Sequence, residues 1–294
     1  MVLMLHGWPE TSYTWRHQIA AVSAGGWRVI APDVRGYGGT DAPADVSAYR
    51  LTELVADAAG IVEALGEKQA VVVGHDWGAV VAWECARRRP DVFRAVAALS
   101  VPLSPRPKGP PTAILGKRFE GSFFYMLYFQ QPGVAEAELE RDVRRSLRLI
   151  YYAASGDAQT PGLGFAFKSP AAGLLEGMID PPKLPAWLTE HDLDVLAESF
   201  RGSGFRGPIN RYRAMDLDWA ESEASSGLKV TVPAIFIAGD RDMTVMLASN
   251  AIERMRESVP DLRRILMIPD AGHWIGEERP AEVNEALLAF LRAL

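Results

Sequence analysis

The residues best suited to chemistry in this 294-residue chain lie where short apolar segments end. In Gln69–Gly78, an apolar, β-branched segment is followed by Gly74, Asp76 and Gly78, and then by an apolar helical pattern. This is the spacing of a nucleophile elbow, a sharp turn between strand and helix in which small residues lift one side chain above the sheet. A serine normally occupies that position, whereas here it is an aspartate at the positive end of a helix. The sequence therefore predicts that Asp76 is a carboxylate nucleophile.

A carboxylate nucleophile requires a base that regenerates it and an acid that orients the base. His273 lies in the turn D-A-G-H-W after the last predicted strand, where the chain order nucleophile, acid, histidine requires the base to be. The loop after the preceding predicted strand contains two carboxylates. We favour Asp242 as the acid because it lies deeper in that loop, and we interpret Asp240 as a helper or as an ion-pair partner of Arg241.

Two backbone N–H groups are expected to bind the negative charge that develops on a carbonyl oxygen. The loop after the first strand can direct the N–H of Trp8 toward the elbow, and Trp77, which follows the nucleophile, supplies the second donor. We interpret the other histidines as structural, with His6 and His75 in the two turns and His17 and His191 on helix surfaces.

Composition limits the partners and the location of the protein. A net charge of −6 argues against nucleic acid or an anionic membrane as the main partner. The single cysteine, Cys85, excludes an internal disulfide and fits a reducing compartment. Met1–Leu5 is predicted to be a strand rather than a signal peptide, and no apolar segment approaches the roughly 18 residues of a membrane span, so the expected location is the cytoplasm. No metal or cofactor is expected, because spaced His and Cys motifs are absent and the glycine-rich Arg35–Asp41 lacks the lysine and spacing of a phosphate-binding loop.

The elements that position these residues follow the pattern of a doubly wound parallel sheet. Short apolar segments alternate with longer amphipathic ones, and the apolar segments are nearly continuous, as expected for strands buried on both faces. The predicted strands are Val2–Leu5, Trp27–Ala31, Ala70–Val73, Ala95–Leu99, Ala234–Ala238 and Arg264–Ile268. The predicted helices that accompany them are Trp15–Ala24, Leu51–Leu65, Ala79–Arg89, Ala248–Ser258 and Pro280–Leu294.

This alternation stops between residues 103 and 227. There the sequence has proline-rich breaks, an aromatic cluster at Phe119–Phe129 and helical segments at Val134–Tyr152 and Trp187–Phe200. We predict a core formed by residues 1–102 and 228–294, interrupted by a helical lid at residues 103–227. Because the lid leaves from the carboxyl end of a strand, the edge where open α/β sheets bind ligands, it is expected to cover the elbow.

Four motifs together resemble the epoxide hydrolases of the α/β-hydrolase fold. They are H-G-W-P at residues 6–9, R-G-Y-G at 35–38, G-H-D-W-G at 74–78 and G-H-W at 272–274. The first and third motifs are shared with haloalkane dehalogenases, so the sequence of the lid is what distinguishes the two families. F-F-Y-M-L-Y-F-Q-Q-P-G-V-A-E-A-E-L-E at residues 123–140 is similar to the lid of soluble epoxide hydrolases of the animal type, and G-P-I-N-R-Y-R at 207–213 matches a second lid motif.

The resemblance implies an α/β-hydrolase fold with a helical cap, and an enzyme that converts an epoxide to a vicinal diol through an ester on Asp76. A water activated by His273 would then hydrolyse the ester. In this family two lid tyrosines donate hydrogen bonds to the epoxide oxygen, and the motifs place them at Tyr125 and Tyr212. Rivals for the first of these roles are Tyr128, Tyr151 and Tyr152, which otherwise serve as aromatic packing. The aromatic lid suggests a lipophilic epoxide as the substrate, and both a monomer and a homodimer remain open.

Two alternatives remain at this point. A haloalkane dehalogenase shares the aspartate nucleophile and Trp77, but it requires halide donors, often an asparagine where this chain has Trp8, and it has no use for paired lid tyrosines. A ligand receptor without turnover is the alternative from another class of protein. The family also normally begins with an antiparallel strand pair before the H-G-x-P strand, so we expect either a truncated start or a smaller sheet.

Overall fold

Six parallel strands form the sheet in the computed structural model, which describes residues 1–294 apart from the side chain of Ala224. The strand order is β2-β1-β3-β4-β5-β6. The strands are β1 (Val2–Leu5), β2 (Val29–Ile30), β3 (Ala70–His75), β4 (Phe93–Leu99), β5 (Ala234–Gly239) and β6 (Leu262–Ile268). This sheet, with helices on both faces, confirms the predicted doubly wound α/β fold.

Alternate residues of the central strands enter two separate apolar clusters, which explains why the strand sequences are apolar throughout. Leu3 and Val72 belong to the cluster on one face, and Val2 and Val71 to the cluster on the other. The first face is covered by α2 (Leu51–Ala64), α3 (Trp77–Arg88), α11 (Met243–Leu247) and α12 (Ser249–Ser258), and the second by α1 (Arg16–Ala24), α13 (Ile275–Glu278) and α14 (Pro280–Arg292).

The strand register brings the loops that contain the predicted site residues to one edge of the sheet. Leu5 at the end of β1 pairs with Gly74 of β3, and Gly74 pairs with Ala98 of β4. Gly239 at the end of β5 pairs with Ile268 at the end of β6. The loops after β1, β3, β4, β5 and β6 therefore all leave from the carboxyl edge.

Between β4 and β5 the chain is helical and forms its own apolar cluster. The helices are α4 (Pro111–Arg118), α5 (Tyr125–Tyr128), α6 (Val134–Leu139), α7 (Val143–Ala154), α8 (Glu190–Ser203), α9 (Arg206–Arg213) and α10 (Met215–Glu221). Their cluster also includes Trp8, Tyr37 and Trp274 from loops of the sheet. The division of the chain at residues 103 and 227 remains a prediction, and we use the word lid for residues 103–227. Across the described residues, each helix is too short or too polar to cross a membrane.

Two predicted helices of the lid have different boundaries in the structure because side chains cap new starts. The single helix predicted at Val134–Tyr152 is interrupted before α7, where the Asp142 carboxylate accepts a hydrogen bond from the Arg145 N–H at 3.0 Å. The helix predicted from residue 187 begins instead at residue 190, where Thr189 and Asp192 form a capping box. In each case the cap side chain accepts a hydrogen bond from an N–H group of the first helical turn. In a continuous helix that N–H group would donate to a carbonyl of the preceding turn.

Candidate active site

Asp76 lies at the turn between β3 and α3 in a sparsely populated backbone conformation, with φ 53° and ψ −121°. The turn brings neighbouring backbone segments so close together that only glycine fits at two of its positions. A Cβ on Gly74 would lie 2.1 Å from the Gly78 carbonyl oxygen, and one on Gly78 would lie 1.9 Å from the Leu5 carbonyl oxygen. The two glycines of the motif are thus required by the packing of β1 and α3 against the elbow.

The Asp76 carboxylate is nearly buried and has different neighbours at its two oxygens. Its side chain accepts a hydrogen bond at Oδ1 from the Trp8 N–H, at 2.8 Å. Its Oδ2 lies 3.5 Å from Nε2 of His273. Trp77 is the first residue of α3, so the positive end of that helix also faces the carboxylate. One oxygen is therefore held by a backbone donor, while the other faces the predicted base.

His273 is oriented by Asp242, whose Oδ2 lies 3.0 Å from Nδ1 of the imidazole. Asp242 is fully buried and also accepts a hydrogen bond from the Thr244 N–H at 2.8 Å. By contrast, Asp240 is exposed, and the guanidinium of Arg241 donates to the Ala158 carbonyl at 3.1 Å. The geometry therefore favours Asp242 over Asp240 as the partner of the histidine.

Charges in this group oppose the effect of burial on each pKa. Burial alone would raise the pKa of Asp242, but the charge and hydrogen bond of His273 lower it below its usual value. Burial would lower the pKa of His273, but Asp242 and Asp76 hold it well above its usual value. The imidazole is thus stabilised in its protonated form while both carboxylates are charged.

Tyr125 and Tyr212 approach Asp76 from the lid, from α5 and α9 respectively. Their ring centroids are 5.7 Å apart, and both side chains are buried. The ring of Tyr212 packs edge-on against Trp77 and Trp8, with centroid distances of 5.1 Å and 5.9 Å. Burial is the main cause that raises the pKa of both phenols, so each remains a neutral O–H donor.

The rival tyrosines have other surroundings. The hydroxyl of Tyr128 donates to Glu138 Oε2 at 2.7 Å, and that of Tyr151 to the Pro9 carbonyl at 3.4 Å. Tyr152 is half-buried on α7. The structure thus brings Tyr125 and Tyr212, rather than Tyr128 or Tyr151, into one group with the predicted nucleophile and base.

A narrow cavity of about 40 Å³ lies between the elbow and the lid. Its polar lining consists of Asp76, Asp242, His273, Thr244 and the two tyrosines. The rest of its lining is apolar or aromatic and includes Trp8, Ile150, Phe165, Met243 and Trp274. The site therefore combines a carboxylate, an imidazole and two phenols inside apolar walls, and the catalytic roles of these residues remain predictions.

A second buried network supports the histidine loop, and only part of it was predicted from the sequence. His75 Nδ1 lies 2.8 Å from Glu10 Oε2, and its Nε2 lies 2.7 Å from the carbonyl oxygen of His273, which also accepts a hydrogen bond from the Ser100 hydroxyl at 2.9 Å. Burial opposes the charge on Glu10, yet the charge and hydrogen bond of His75 lower its pKa to about 2. His75 was predicted to be structural, whereas Glu10 and Ser100 were missed. Their sequence signal was their position directly after H-G-W-P and after β4.

The peptide bond between Trp8 and Pro9 is cis. It lies in the loop that presents the Trp8 N–H to Asp76. Cys85 is buried in α3.

Comparison with known proteins agrees with this fold. The family model described as the alpha/beta hydrolase fold matches residues 1–149. Epoxide hydrolase A of Mycobacterium tuberculosis is 42% identical over 298 residues, which cover 100% of this chain and 91% of that protein. The bifunctional epoxide hydrolase 2 of Sus scrofa is 37% identical over 291 residues, covering 99% of this chain and 51% of that protein. A solved structure of an epoxide hydrolase from an endophytic Streptomyces has a TM-score of 0.96 and 46% identity, with 99% of this chain and 88% of that chain covered.

The fold and the elbow carboxylate define an α/β hydrolase with an aspartate in the nucleophile position. Within this class, the relatives that match almost the whole chain at 42% and 46% identity are epoxide hydrolases. The chain belongs to the epoxide hydrolases of the α/β-hydrolase family.

Proposed function

We propose that this epoxide hydrolase opens its substrate through a covalent ester on Asp76, with the roles of acid and base divided between lid and core. The observation that carries the proposal is the position of Asp76, with His273 and Asp242 on its core side and Tyr125 and Tyr212 on its lid side. The apolar walls of this cavity strengthen each electrostatic contact with the reacting atoms.

In the first step, Oδ2 of Asp76 attacks a carbon of the epoxide ring, and the bond between that carbon and the epoxide oxygen breaks. Tyr125 and Tyr212 donate hydrogen bonds to that oxygen, and one of them transfers its proton as the alkoxide develops. Oδ1 stays on the Trp8 N–H and becomes the carbonyl oxygen of the ester. A carboxylate suits this step because it displaces at an sp3 carbon without first losing a proton, whereas a serine would form an ether.

In the second step, Nε2 of His273 takes a proton from a water that attacks the ester carbonyl carbon. The N–H groups of Trp8 and Trp77 bind the tetrahedral oxyanion, and Asp242 stabilises the imidazolium. The intermediate then collapses, the diol oxygen leaves with the proton returned by His273, and Asp76 is restored. Asp76 then releases the proton that the water left on its carboxyl group, and the tyrosine that donated its proton regains one, so that one water is consumed in each turnover.

We further propose that the substrate is a lipophilic epoxide. The apolar lining of the cavity supports this, because Ile150, Phe165 and Met243 offer contact area without hydrogen-bond partners for a polar chain. The lid boundaries at residues 103 and 227 and the oligomeric state, monomer or homodimer, remain predictions.

Two variants test the covalent mechanism by intact-protein mass spectrometry. His273→Gln is expected to accumulate a species heavier than the protein by the mass of the epoxide, because its ester forms but is not hydrolysed. Asp76→Asn is expected to form neither adduct nor diol. His17→Gln, a substitution at a half-exposed histidine on α1, is the matched control and should turn over normally. Diol formation at the unmodified rate by Asp76→Asn, or inactive His273→Gln without an adduct, would contradict the mechanism.

A further inference from the structure

Glu278, at the end of α13, collects three backbone hydrogen bonds around the predicted base. Its side chain is buried, and Oε2 accepts from the Gly272 N–H at 2.8 Å and from the Gly156 N–H at 2.9 Å. Its Oε1 accepts from the Trp274 N–H at 3.1 Å. Gly272 and Trp274 are the two neighbours of His273, while Gly156 follows α7 in the lid. One carboxylate therefore connects both sides of the histidine to the lid.

The histidine loop and the end of α7 are in close contact around this carboxylate. The His273 N–H donates to the Ala154 carbonyl at 2.9 Å. A Cβ on Gly272 would lie 2.2 Å from the Gly156 nitrogen, so no larger residue fits there without a backbone shift. The indole of Trp274 stacks on Tyr151 at a centroid distance of 4.3 Å and donates to the Tyr151 carbonyl at 2.7 Å. The lid thus provides the surface on which the base is placed.

Loss of the carboxylate would leave three N–H groups without their acceptor in a buried loop. A buried donor without an acceptor carries a free-energy cost. The loop can relieve that cost only by moving, and movement of the loop moves the imidazole. A 1 Å displacement of a reacting group can change a rate by about a hundredfold. A small shift of the imidazole is therefore enough to slow hydrolysis of the ester.

We infer that Glu278 is a positioning residue for His273 and acts on the hydrolysis of the ester rather than on its formation. This inference rests on the proposed function, in which His273 takes part only in the second step. Ring opening depends instead on Asp76 and the two tyrosines, none of which is a hydrogen-bond partner of Glu278. The role therefore predicts a change in the ratio of the two rates.

The test is transient kinetics with an epoxide that gives a measurable ester, comparing Glu278→Gln with the unmodified enzyme. The amide replaces two acceptor oxygens with one, so ester formation is expected to stay within about twofold while hydrolysis falls about tenfold or more. The ester should then accumulate during turnover. Glu278→Asp keeps the charge on a shorter side chain and should give an intermediate hydrolysis rate.

Glu277→Gln is the matched control. Glu277 is the adjacent buried carboxylate, but it accepts hydrogen bonds from Thr14 and Arg16 rather than from the histidine loop. Its loss is expected to lower the melting temperature and leave the ratio of the two rates unchanged.

A ratio of rates in Glu278→Gln equal to that of the unmodified enzyme would overturn the positioning role. Equal losses in both steps, following the melting temperature as in the control, would also overturn it. If Glu278→Gln does not fold, Glu278→Asp decides the question by the same ratio. A different result, turnover by the unmodified enzyme with no ester at any time, would overturn the proposed function itself.

Discussion

The charge on Asp76 changes during the proposed reaction, and His273 is close enough to respond. In the free enzyme, Asp242 and Asp76 both raise the pKa of His273 against the opposing effect of burial. Formation of the ester removes the charge of Asp76 and leaves that of Asp242. Since burial favours the neutral imidazole, the pKa of His273 is expected to fall at the moment when the reaction needs a base.

The pKa of His273 in the free enzyme and in the ester can be compared to test this coupling. The base acts in its neutral form, so hydrolysis of the ester should become faster as the pH rises and reach a plateau above the pKa of His273 in the ester. That apparent pKa is expected to lie below the pKa of His273 in the free enzyme. Ester decay measured over a range of pH gives the first value, and an NMR titration of the imidazole gives the second. Equal values, or hydrolysis that slows as the pH rises, would count against the coupling.

At the scale of secondary-structure elements, the strands and the elbow could be predicted from the sequence because their residues have few alternatives. Strands buried on both faces must be apolar throughout, and a turn packed against the backbone of Leu5 admits only glycine at residue 78. The break before α7 could not be predicted, because the sequence around Asp142 is also compatible with a continuous helix. Only the structure shows that the Asp142 side chain caps a new helix there. The sequence favoured Asp242 over Asp240 by its position in the loop, and the structure places Asp242 against His273.

Gly78→Ala tests the role of close packing at the elbow. Its Cβ would meet the backbone oxygens of Leu5 and His6, so β1 and α3 must separate, and we expect a loss of stability of about 3 kcal/mol together with most of the activity. Gly60→Ala is the matched control, since Gly60 lies exposed in α2 with open space around it. That substitution should stabilise the protein by about 0.5–1 kcal/mol. Thermal unfolding of both variants measures these changes. If Gly78→Ala is as stable as Gly60→Ala, close packing at the elbow does not require a glycine at residue 78.

At the scale of the whole molecule, the site depends on contacts between segments that are distant in the chain. His75 and Glu10 are 65 residues apart, and Gly156 and Glu278 are 122 residues apart. The lid is also held at its other end, where Arg211 donates to the Tyr49 carbonyl and to Asp218, which in turn accepts from the Leu51 N–H. Motifs predicted which residues to expect near the elbow. The supporting network depends on tertiary contacts between distant segments, so Glu10 and Ser100 were missed even though each follows directly after a motif or a strand.

The most direct test of the central claim, covalent attack by Asp76, is one turnover in water enriched in oxygen-18. If the ester forms, the oxygen added to the diol comes from Asp76, and solvent oxygen enters the carboxylate during hydrolysis. We therefore expect an unlabelled diol and a peptide containing Asp76 that is heavier by one oxygen-18 substitution, both measured by mass spectrometry. A labelled diol with an unlabelled Asp76 peptide would show that water attacks the epoxide directly, and it would contradict the account.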